Sequence, residues 1–221
     1  MVEKRYIAVI GDIVGSRQIG RQERFEVQER LRRVLAEVTK TYADAVVSPF
    51  MITLGDEFQG LLDGGRHLMR VLFRIQSELY PVQIRFGIGA GTMATKIDTT
   101  SALGSDGPAY HRARTALSKL KDKDHRIKRT AERTALEDPD FPMQTELVNT
   151  VLMMMGEIES RWSERNIRYV AASLGTGRTQ SDVAAVFGVG QSTVQKGLVA
   201  ARYYAYEQAF VTLEHVFCSI V

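Results

Sequence analysis

The order of hydrophobic patterns along the first 120 residues is the feature that most constrains the fold of this chain. Short β-branched runs, such as RYIAVI at 5–10, predict buried strands, and apolar residues every three or four positions, as at 22–42, predict amphipathic helices. The predicted elements are, in order, a strand, a helix, two strands, a helix, a strand and a helix, at 5–10, 22–42, 46–54, 58–62, 68–79, 82–91 and 109–120. This β-α-β-β-α-β-α order is that of a ferredoxin-like α+β sheet domain with an added helix.

A break in composition follows at DPDFP, residues 138–142, where two prolines and two acids lie within five positions. Such a composition predicts a linker or a domain edge. From residue 144 onward the helical spacing dominates. We therefore predict two domains, a ferredoxin-like sheet domain at 1–137 and an all-α domain at 143–221.

Composition is that of an ordinary soluble globular protein, with 44% hydrophobic and 25% charged residues. The single cysteine, Cys218, excludes an intramolecular disulfide framework. The chain has neither a signal-peptide pattern nor a run of about 18 apolar residues. We therefore expect a cytoplasmic protein with no membrane partner.

Basic residues concentrate between His111 and Arg133, although the net charge of the whole chain is only +3. A stretch of this kind suits the phosphates of a nucleotide or a nucleic acid. It equally suits a solvated helix face and loop. The sequence leaves both interpretations open.

Two aspartates indicate chemistry at one edge of the predicted sheet. Asp12 ends the first strand, and Asp56 lies in the hairpin turn. In this fold order the first strand, 5–10, is expected to lie beside one of the two strands of the hairpin, 46–54 or 58–62. The carboxylates of Asp12 and Asp56 can then lie close together. Close carboxylates repel unless a cation lies between them, and Mg²⁺ takes few protein ligands, completing its shell with water and phosphate oxygens. The Ile13 carbonyl and the Glu57 side chain are further candidate ligands, whereas the alternative is that each aspartate caps a turn.

Four motifs follow one another along the chain: GDIVGSR at 11–17, LGDEFQG at 54–60, RFGIGAGT at 85–92 and DGPAYHRARTAL at 106–117. Together they resemble the class III nucleotide cyclase and GGDEF families. In those families a strand ends in an aspartate, a Gly-Asp hairpin follows, and a late helix carries an Ala-Arg pair. The whole chain more closely resembles the SatD family of bacterial proteins.

The resemblance to the cyclases implies a metal site. By it, Asp12 and Asp56 match the metal-binding aspartates, and Ile13 matches the residue whose carbonyl assists. Mg²⁺ or Mn²⁺ is the expected ion. A homodimer is also implied, because cyclase-type sites often form between two subunits.

The same resemblance implies a phosphate or nucleotide site. The backbone turn that wraps the triphosphate corresponds to Val14, Gly15 and Ser16, together with the residue before them. Short glycine-containing turns of this kind aim several N–H groups at phosphate oxygens. On the late helix, Arg112 or Arg114 is the expected phosphate contact.

The chain departs from the cyclase pattern at the positions that read the base and carry the reaction. Ile52 replaces the lysine that reads the purine, and Leu54-Gly55 replaces the double glycine of GGDEF domains. The segment from Tyr110 to Arg114 stands where cyclases place an asparagine and an arginine. Phosphoryl transfer needs charge stabilisation throughout the transition state, so these departures predict a degenerate domain rather than an efficient cyclase.

A second motif lies at residues 178–203. Ala184, Gly188 and Val194 have the spacing of a helix-turn-helix, in which a small residue, a turn glycine and an apolar residue recur. The residues expected to face base edges or phosphates are Gln191, Ser192, Thr193, Gln195 and Lys196. Few cations accompany them, which counts against strong DNA binding by a monomer. The alternative is a helical hairpin used for packing or dimerisation.

Three functions remain open at this stage. The first is a regulator whose degenerate cyclase-like domain binds a metal–nucleotide or phosphate ligand and whose helix-turn-helix binds DNA. The second is an active, divalent-metal-dependent nucleotidyl cyclase or phosphotransferase. The third is a structural or assembly protein in which both motifs are remnants.

Overall fold

The protein is described by a computed structural model that covers residues 3–18, 20–127 and 131–220. The strands in this part of the chain are β1 (Tyr6–Ile13), β2 (Val46–Leu54), β3 (Glu57–Leu62), β4 (Ile84–Gly91) and β5 (Thr134–Glu137). The helices are α1 (Arg21–Thr41), α2 (Leu68–Leu79), α3 (Pro108–Ile127), α4 (Pro142–Glu159), α5 (Glu164–Ser173), α6 (Gln180–Phe187), α7 (Gln191–Ala200) and α8 (Tyr203–Ile220). A short 3-10 turn at Ser16–Gln18 precedes α1.

The five strands form one mixed sheet with the order β2-β3-β1-β4-β5. β1 lies in the middle and pairs antiparallel with both β3 and β4. The predicted β-α-β-β-α-β-α order is thereby confirmed up to α3, and the chain has an α+β fold with several further helices. No helix in the described ranges combines the length and the apolar character that crossing a membrane requires.

The sheet has one strand that the sequence pattern did not predict. β5 is four residues long and pairs in parallel with β4. Its outer edge is covered by the Asn149 side chain of α4, which accepts a hydrogen bond from the Leu136 N–H at 2.7 Å and donates one to the Leu136 carbonyl at 2.9 Å. This amide takes the place of a further strand at an otherwise open edge.

One face of the sheet is covered by α3. Gly87 and Gly89 of β4 allow this approach, because an added Cβ at either position would lie 2.1 to 2.2 Å from a carbonyl oxygen of α3. The apolar residues between helix and sheet include Ala8, Ile10 and Leu117. α3 continues to Ile127, seven residues beyond the predicted helix end, and so passes over the end of β1.

The helices after β5 share the apolar core of the opposite face, where α1 and α2 pack on the sheet. α8 lies against the start of α2, since an added Cβ on Gly65 would meet the Phe217 carbonyl oxygen at 2.1 Å. Arg70 of α2 and Glu214 of α8 form a two-armed ion pair, with N–O distances of 2.7 and 3.1 Å. The predicted boundary falls between β5 and α4, but the two parts are joined by one continuous core.

The segment predicted as a linker or a domain edge, 138–142, is anchored to the sheet domain. Asp138 is buried, and its carboxylate pairs with Arg5 at 2.6 Å and with Arg112 at 3.3 Å. Its carbonyl accepts a hydrogen bond from the Thr145 hydroxyl at 2.9 Å. The acids of this segment therefore pair with Arg5, just before β1, and with Arg112 of α3, and Asp138 is buried by these contacts while Asp140 stays exposed.

Candidate functional site

Asp12 is held at the end of β1, between the two neighbouring strands. Its register partners are Glu57 on β3 and Arg85 on β4, so all three side chains project from the same face of the sheet. Asp56 lies in the turn between β2 and β3, and its carbonyl accepts a hydrogen bond from the Ile13 N–H at 3.3 Å. The three predicted metal-site residues, Asp12, Ile13 and Asp56, thus lie together at one edge of the sheet.

The Asp12 carboxylate is only 5% exposed and is met by two cations. Its Oδ2 accepts a hydrogen bond from Arg85 at 2.9 Å and lies 3.2 Å from the Lys121 Nζ. Its Oδ1 is buried and has no hydrogen-bond partner in the described part of the chain. Burial raises the pKa of Asp12, the charges of Arg85 and Lys121 act to lower it, and the nearby Asp56 raises it further.

Further ion pairs extend from this centre, and we call the group the Asp12 edge. Glu57 pairs with Arg114 and lies 3.9 Å from Lys121. Asp124 of α3 accepts from Arg85 at 2.8 Å and from Arg133 at 3.2 Å. The Asp12 edge is made up of Asp12, Asp56, Glu57, Arg85, Arg114, Lys121, Asp124 and Arg133.

The sequence interpretation missed Lys121 and Arg85. Lys121 follows Ala113 and Leu117 at four-residue intervals, so it lies on the helix face that packs against the sheet. That spacing was a usable signal, but the predicted helix stopped one residue short of Lys121. Arg85 lies within the RFGIGAGT motif, where its register opposite Asp12 depends on strand pairing that the sequence does not specify.

Two carboxylates at this edge could coordinate a divalent ion. One is that of Asp12, whose buried Oδ1 has no hydrogen-bond partner in the described part of the chain, and the other is that of Asp56. Within the described ranges, no three His, Cys, Asp or Glu side chains are grouped as a metal cage. Mg²⁺ needs only one or two carboxylates when phosphates and water complete its shell. Lys121 and Arg85 would repel an ion that came without such anions. The donor set therefore fits a metal that is bound together with a phosphate ligand.

The predicted phosphate turn is only partly open. The Val14 N–H donates to the Gln83 carbonyl at 2.8 Å and so extends the pairing of β1 and β4. Gly15 adopts a left-handed conformation with φ of 69°, which a turn at this position requires. Its carbonyl accepts from the Gln18 N–H at 2.8 Å, which places Ser16 at the start of the 3-10 turn.

The two predicted phosphate-binding arginines, Arg112 and Arg114, have different binding partners in the structure. Arg114 joins the Asp12 edge through Glu57. Arg112 instead binds the Ala90 carbonyl at 2.6 Å and Asp140 at 2.9 Å, and it lies about 14 Å along the helix axis from Lys121 at 1.5 Å per residue. Arg112 and Arg114 are only two residues apart, but each residue turns the helix by about 100°, so their side chains leave α3 on different sides and only Arg114 reaches the Asp12 edge.

The position expected to read a base is apolar in the structure as well. Ile52 lies on β2 opposite Phe58 and packs against the hydrophobic core. An alkyl side chain donates and accepts no hydrogen bond, so Ile52 provides no contact to a base edge.

The second predicted motif corresponds to α6, α7 and the three residues between them. Thr179 and Asp182 form a reciprocal cap at the start of α6, and Gly188 ends this helix with φ of 63°. Val194 and Leu198 are buried. The five residues predicted to face DNA are all exposed, and they are Gln191, Ser192, Thr193, Gln195 and Lys196.

α5 packs against the buried side of α7. The Asn166 amide donates to the Gly197 carbonyl at 3.0 Å, and the Tyr169 ring occupies the space that a Cβ on Gly197 would need. Because Gly197 and Leu198 face this support, the opposite side of α7 is turned outward. Contact with DNA by this outward side stays a prediction.

Taken together, the central antiparallel β1 and the flanking β3 and β4 define an α+β sheet domain with acidic side chains at the end of its central strand. The chain matches the SatD family over residues 6–206. It belongs to the SatD family.

Several solved cyclase structures are similar to this chain. A bacterial light-regulated adenylyl cyclase aligns with a TM-score of 0.42 and 15% identity, over 60% of this chain and 74% of the other. The guanylyl cyclase domain of the RhoGC fusion protein from the aquatic fungus Blastocladiella emersonii aligns in a dimeric form with a TM-score of 0.35 and 12% identity, over 51% and 73% of the two chains. The monomeric form of that domain aligns with a TM-score of 0.36 and 12% identity, over 52% of this chain and 75% of the other. No curated protein matches the chain.

Proposed function

We propose that this protein is a regulator that contacts DNA through α7 and binds a metal–nucleotide or phosphate ligand at the Asp12 edge. The observation that carries the proposal is the two-sided character of α7. Its apolar residues Val194 and Leu198 are buried against the protein, while the polar residues at its start are exposed after a tight glycine turn. A helix presented in this way can enter a major groove.

Charge determines how strongly such a helix binds. Arg178, Lys196 and Arg202 are exposed around α6 and α7 and supply the phosphate contacts of this surface. Non-specific affinity follows the number of phosphates neutralised. Three cations give weak binding, so a homodimer that doubles their number is part of the proposal.

The test is fluorescence anisotropy with random duplex DNA over a range of salt concentrations. We expect binding at low salt that weakens as salt rises, and Lys196→Ala is expected to reduce the salt slope by about 1. Lys40→Ala, an exposed lysine on α1, is the matched control and should bind like the wild type. Absence of binding at low salt would contradict the DNA contact. Sedimentation of the protein alone tests the homodimer.

The second part of the proposal is supported by the unpaired Oδ1 of Asp12. A buried carboxylate oxygen without a partner costs free energy unless a ligand completes it. Mg²⁺ or Mn²⁺ held by Asp12 and Asp56 would supply positive charge there, and Lys121 and Arg114 would meet the phosphates. Because the resident cations oppose a lone metal ion, metal and nucleotide should bind together.

Melting temperature measured with ATP or GTP, with and without Mg²⁺ or Mn²⁺, tests this part. We expect no shift with metal alone and a shift with metal and nucleotide together, which Asp12→Ala abolishes. Asp122→Ala, an exposed acid on α3, is the control and should respond like the wild type. Pyrophosphate release would favour the active cyclase or phosphotransferase instead. No shift with any nucleotide, together with no DNA binding, would favour the structural or assembly role.

A further inference from the structure

A cavity lies at the junction between the sheet and the later helices, and we call it the junction cavity. It has a volume of about 70 Å³. Its walls come from α2, from the residues before β4 and β5, and from the end of α4 and the start of α5. The side chains that matter here are Phe73, Gln76, Tyr80, Arg133, Glu159 and Trp162. A second space of about 40 Å³ shares Phe73, Gln76, Arg133 and Glu159 and extends to Tyr206.

Glu159 is the acid of this cavity, and its charge has no cationic partner. Its Oε1 accepts a hydrogen bond from the Tyr206 hydroxyl. In the described ranges Tyr206 is the only hydrogen-bond partner of the Glu159 side chain, and this side chain forms no ion pair. Burial raises the pKa of Glu159 to about 7, which reflects a carboxylate that lacks a counter-charge.

Two other polar side chains on the cavity wall, Arg133 and Gln76, already have partners. Arg133 is paired with Asp124 at 3.2 Å and donates to the Gln83 side chain at 3.2 Å. The Gln76 amide accepts from the Ile84 N–H at 3.0 Å and donates to the Val82 carbonyl at 3.1 Å. The cavity therefore carries one uncompensated acid, which favours a cation over an anion or a neutral molecule.

Aromatic side chains line the same cavity as this acid. The Trp162 and Tyr206 rings have centroids 4.8 Å apart, and Phe73 lies 6.5 Å from Trp162 with its ring nearly perpendicular. The Trp162 Nε1–H donates to the Ala201 carbonyl at 2.8 Å, which fixes the orientation of the indole. A carboxylate among aromatic faces is the environment that stabilises an organic ammonium ion.

We propose that the junction cavity is a binding site for a small organic ammonium ion, with Glu159 as its counter-charge and Trp162 and Phe73 around its apolar part. The site lies apart from the exposed face of α7 and would serve as an effector site. Its walls come from both the sheet and the later helices, so a bound ligand would strengthen their contact. Binding would thus raise the stability of the whole chain.

The chain contains one tryptophan, and it lies in this cavity, so its fluorescence reports on the site directly. The experiment is a titration of the full chain with ethylamine, which is small enough for a cavity of about 70 Å³, at about pH 8, where an acid with a pKa near 7 is mostly ionised. Ethanol, of nearly the same shape but neutral, is the comparison ligand. We expect a saturable change in Trp162 emission and a rise in melting temperature with ethylamine, and binding of ethanol weaker by about tenfold or more.

Variants separate the role of the charge from the role of the fold. Glu159→Gln keeps the shape and should remove the preference for ethylamine, whereas Glu157→Gln, an exposed acid on the same helix, should behave like the wild type. Tyr206→Phe keeps the carboxylate and should keep the preference, which covers the case in which Glu159→Gln fails to fold. No saturable change with ethylamine, equal binding of ethanol, or an unchanged preference in Glu159→Gln would overturn the proposal.

Discussion

Asp12 is a buried carboxylate whose charge is met by two cations from different elements. Arg85 reaches it from β4, and Lys121 reaches it from α3. Even with both cations, burial keeps the pKa of Asp12 above its usual value. Loss of either cation would leave more of this charge uncompensated.

Lys121→Ala tests this balance. We expect the free energy of unfolding at pH 7 to fall by about 1 kcal/mol, because the lysine is partly exposed and its ion pairs are screened. The loss should shrink as the pH falls through the pKa of Asp12, since a protonated Asp12 no longer needs the cation. Urea unfolding across pH measures it, and Lys40→Ala is the control. An equal loss at all pH values would contradict the ion-pair explanation.

Glu159 makes a second pH-dependent contribution to the free energy of unfolding, and its raised pKa determines the sign of that contribution. The unfolded chain ionises this group near 4.5 and the folded chain near 7, so folding favours the protonated form. Its contribution to stability is present below pH 4.5 and is lost as the pH rises through 7. Glu159→Gln should therefore stabilise the protein above pH 7, by at most about 3 kcal/mol. Urea unfolding at several pH values measures this, and a wild-type pH slope in the variant would contradict it.

Among the elements, those with long periodic patterns were predictable and those that depend on a partner were not. The stripe on α1 and the alternation along β4 gave both elements directly. β5 has four residues and no period of its own, and it exists because β4 offers an edge and Asn149 covers the other side. The proximity of Asp12 and Asp56 could be predicted from the strand order. The contact of Lys121 with Asp12 could not, because the predicted α3 ended before Lys121.

Asn149→Ala tests the dependence of β5 on its cover. The variant leaves the Leu136 N–H and carbonyl without a partner at the sheet edge, and we expect a loss of about 1–3 kcal/mol in unfolding free energy. Hydrogen exchange at the Leu136 amide should increase as well. Thr150→Ala, an exposed position on the same helix, should change stability little. A stable variant with unchanged exchange would show that β5 does not need the amide.

Across the whole molecule, the later helices complete the core of the sheet domain. α8 reaches back to α2 through Arg70 and Glu214, which are 144 positions apart in sequence. The helical spacing after residue 144 indicated helices in this part of the chain, but it could not show which surface α8 meets. In the structure, one apolar core joins the sheet and the later helices.

Gly65→Ala tests the packing of α8 against the start of α2, because the new methyl group would overlap the Phe217 carbonyl. We expect a loss of about 1–3 kcal/mol, the usual cost of overpacking. Gly20→Ala, with no atom within 4 Å of the new Cβ, is the matched control and should be nearly neutral. Trp162 fluorescence and circular dichroism should report one coincident transition. Two separate transitions would contradict a single shared core.

The central position of β1 also affects how the protein is made. Ile7 pairs with Leu62 on one side and with Ala90 on the other, so both neighbours are synthesised well after β1 itself. Seven of the eight residues of β1 are buried in the finished sheet. On the ribosome this apolar strand therefore emerges with both edges unpaired, a state that invites association with other nascent chains. Synthesis of β4 is the earliest point at which both edges can be shielded, and chaperone contact is expected before it.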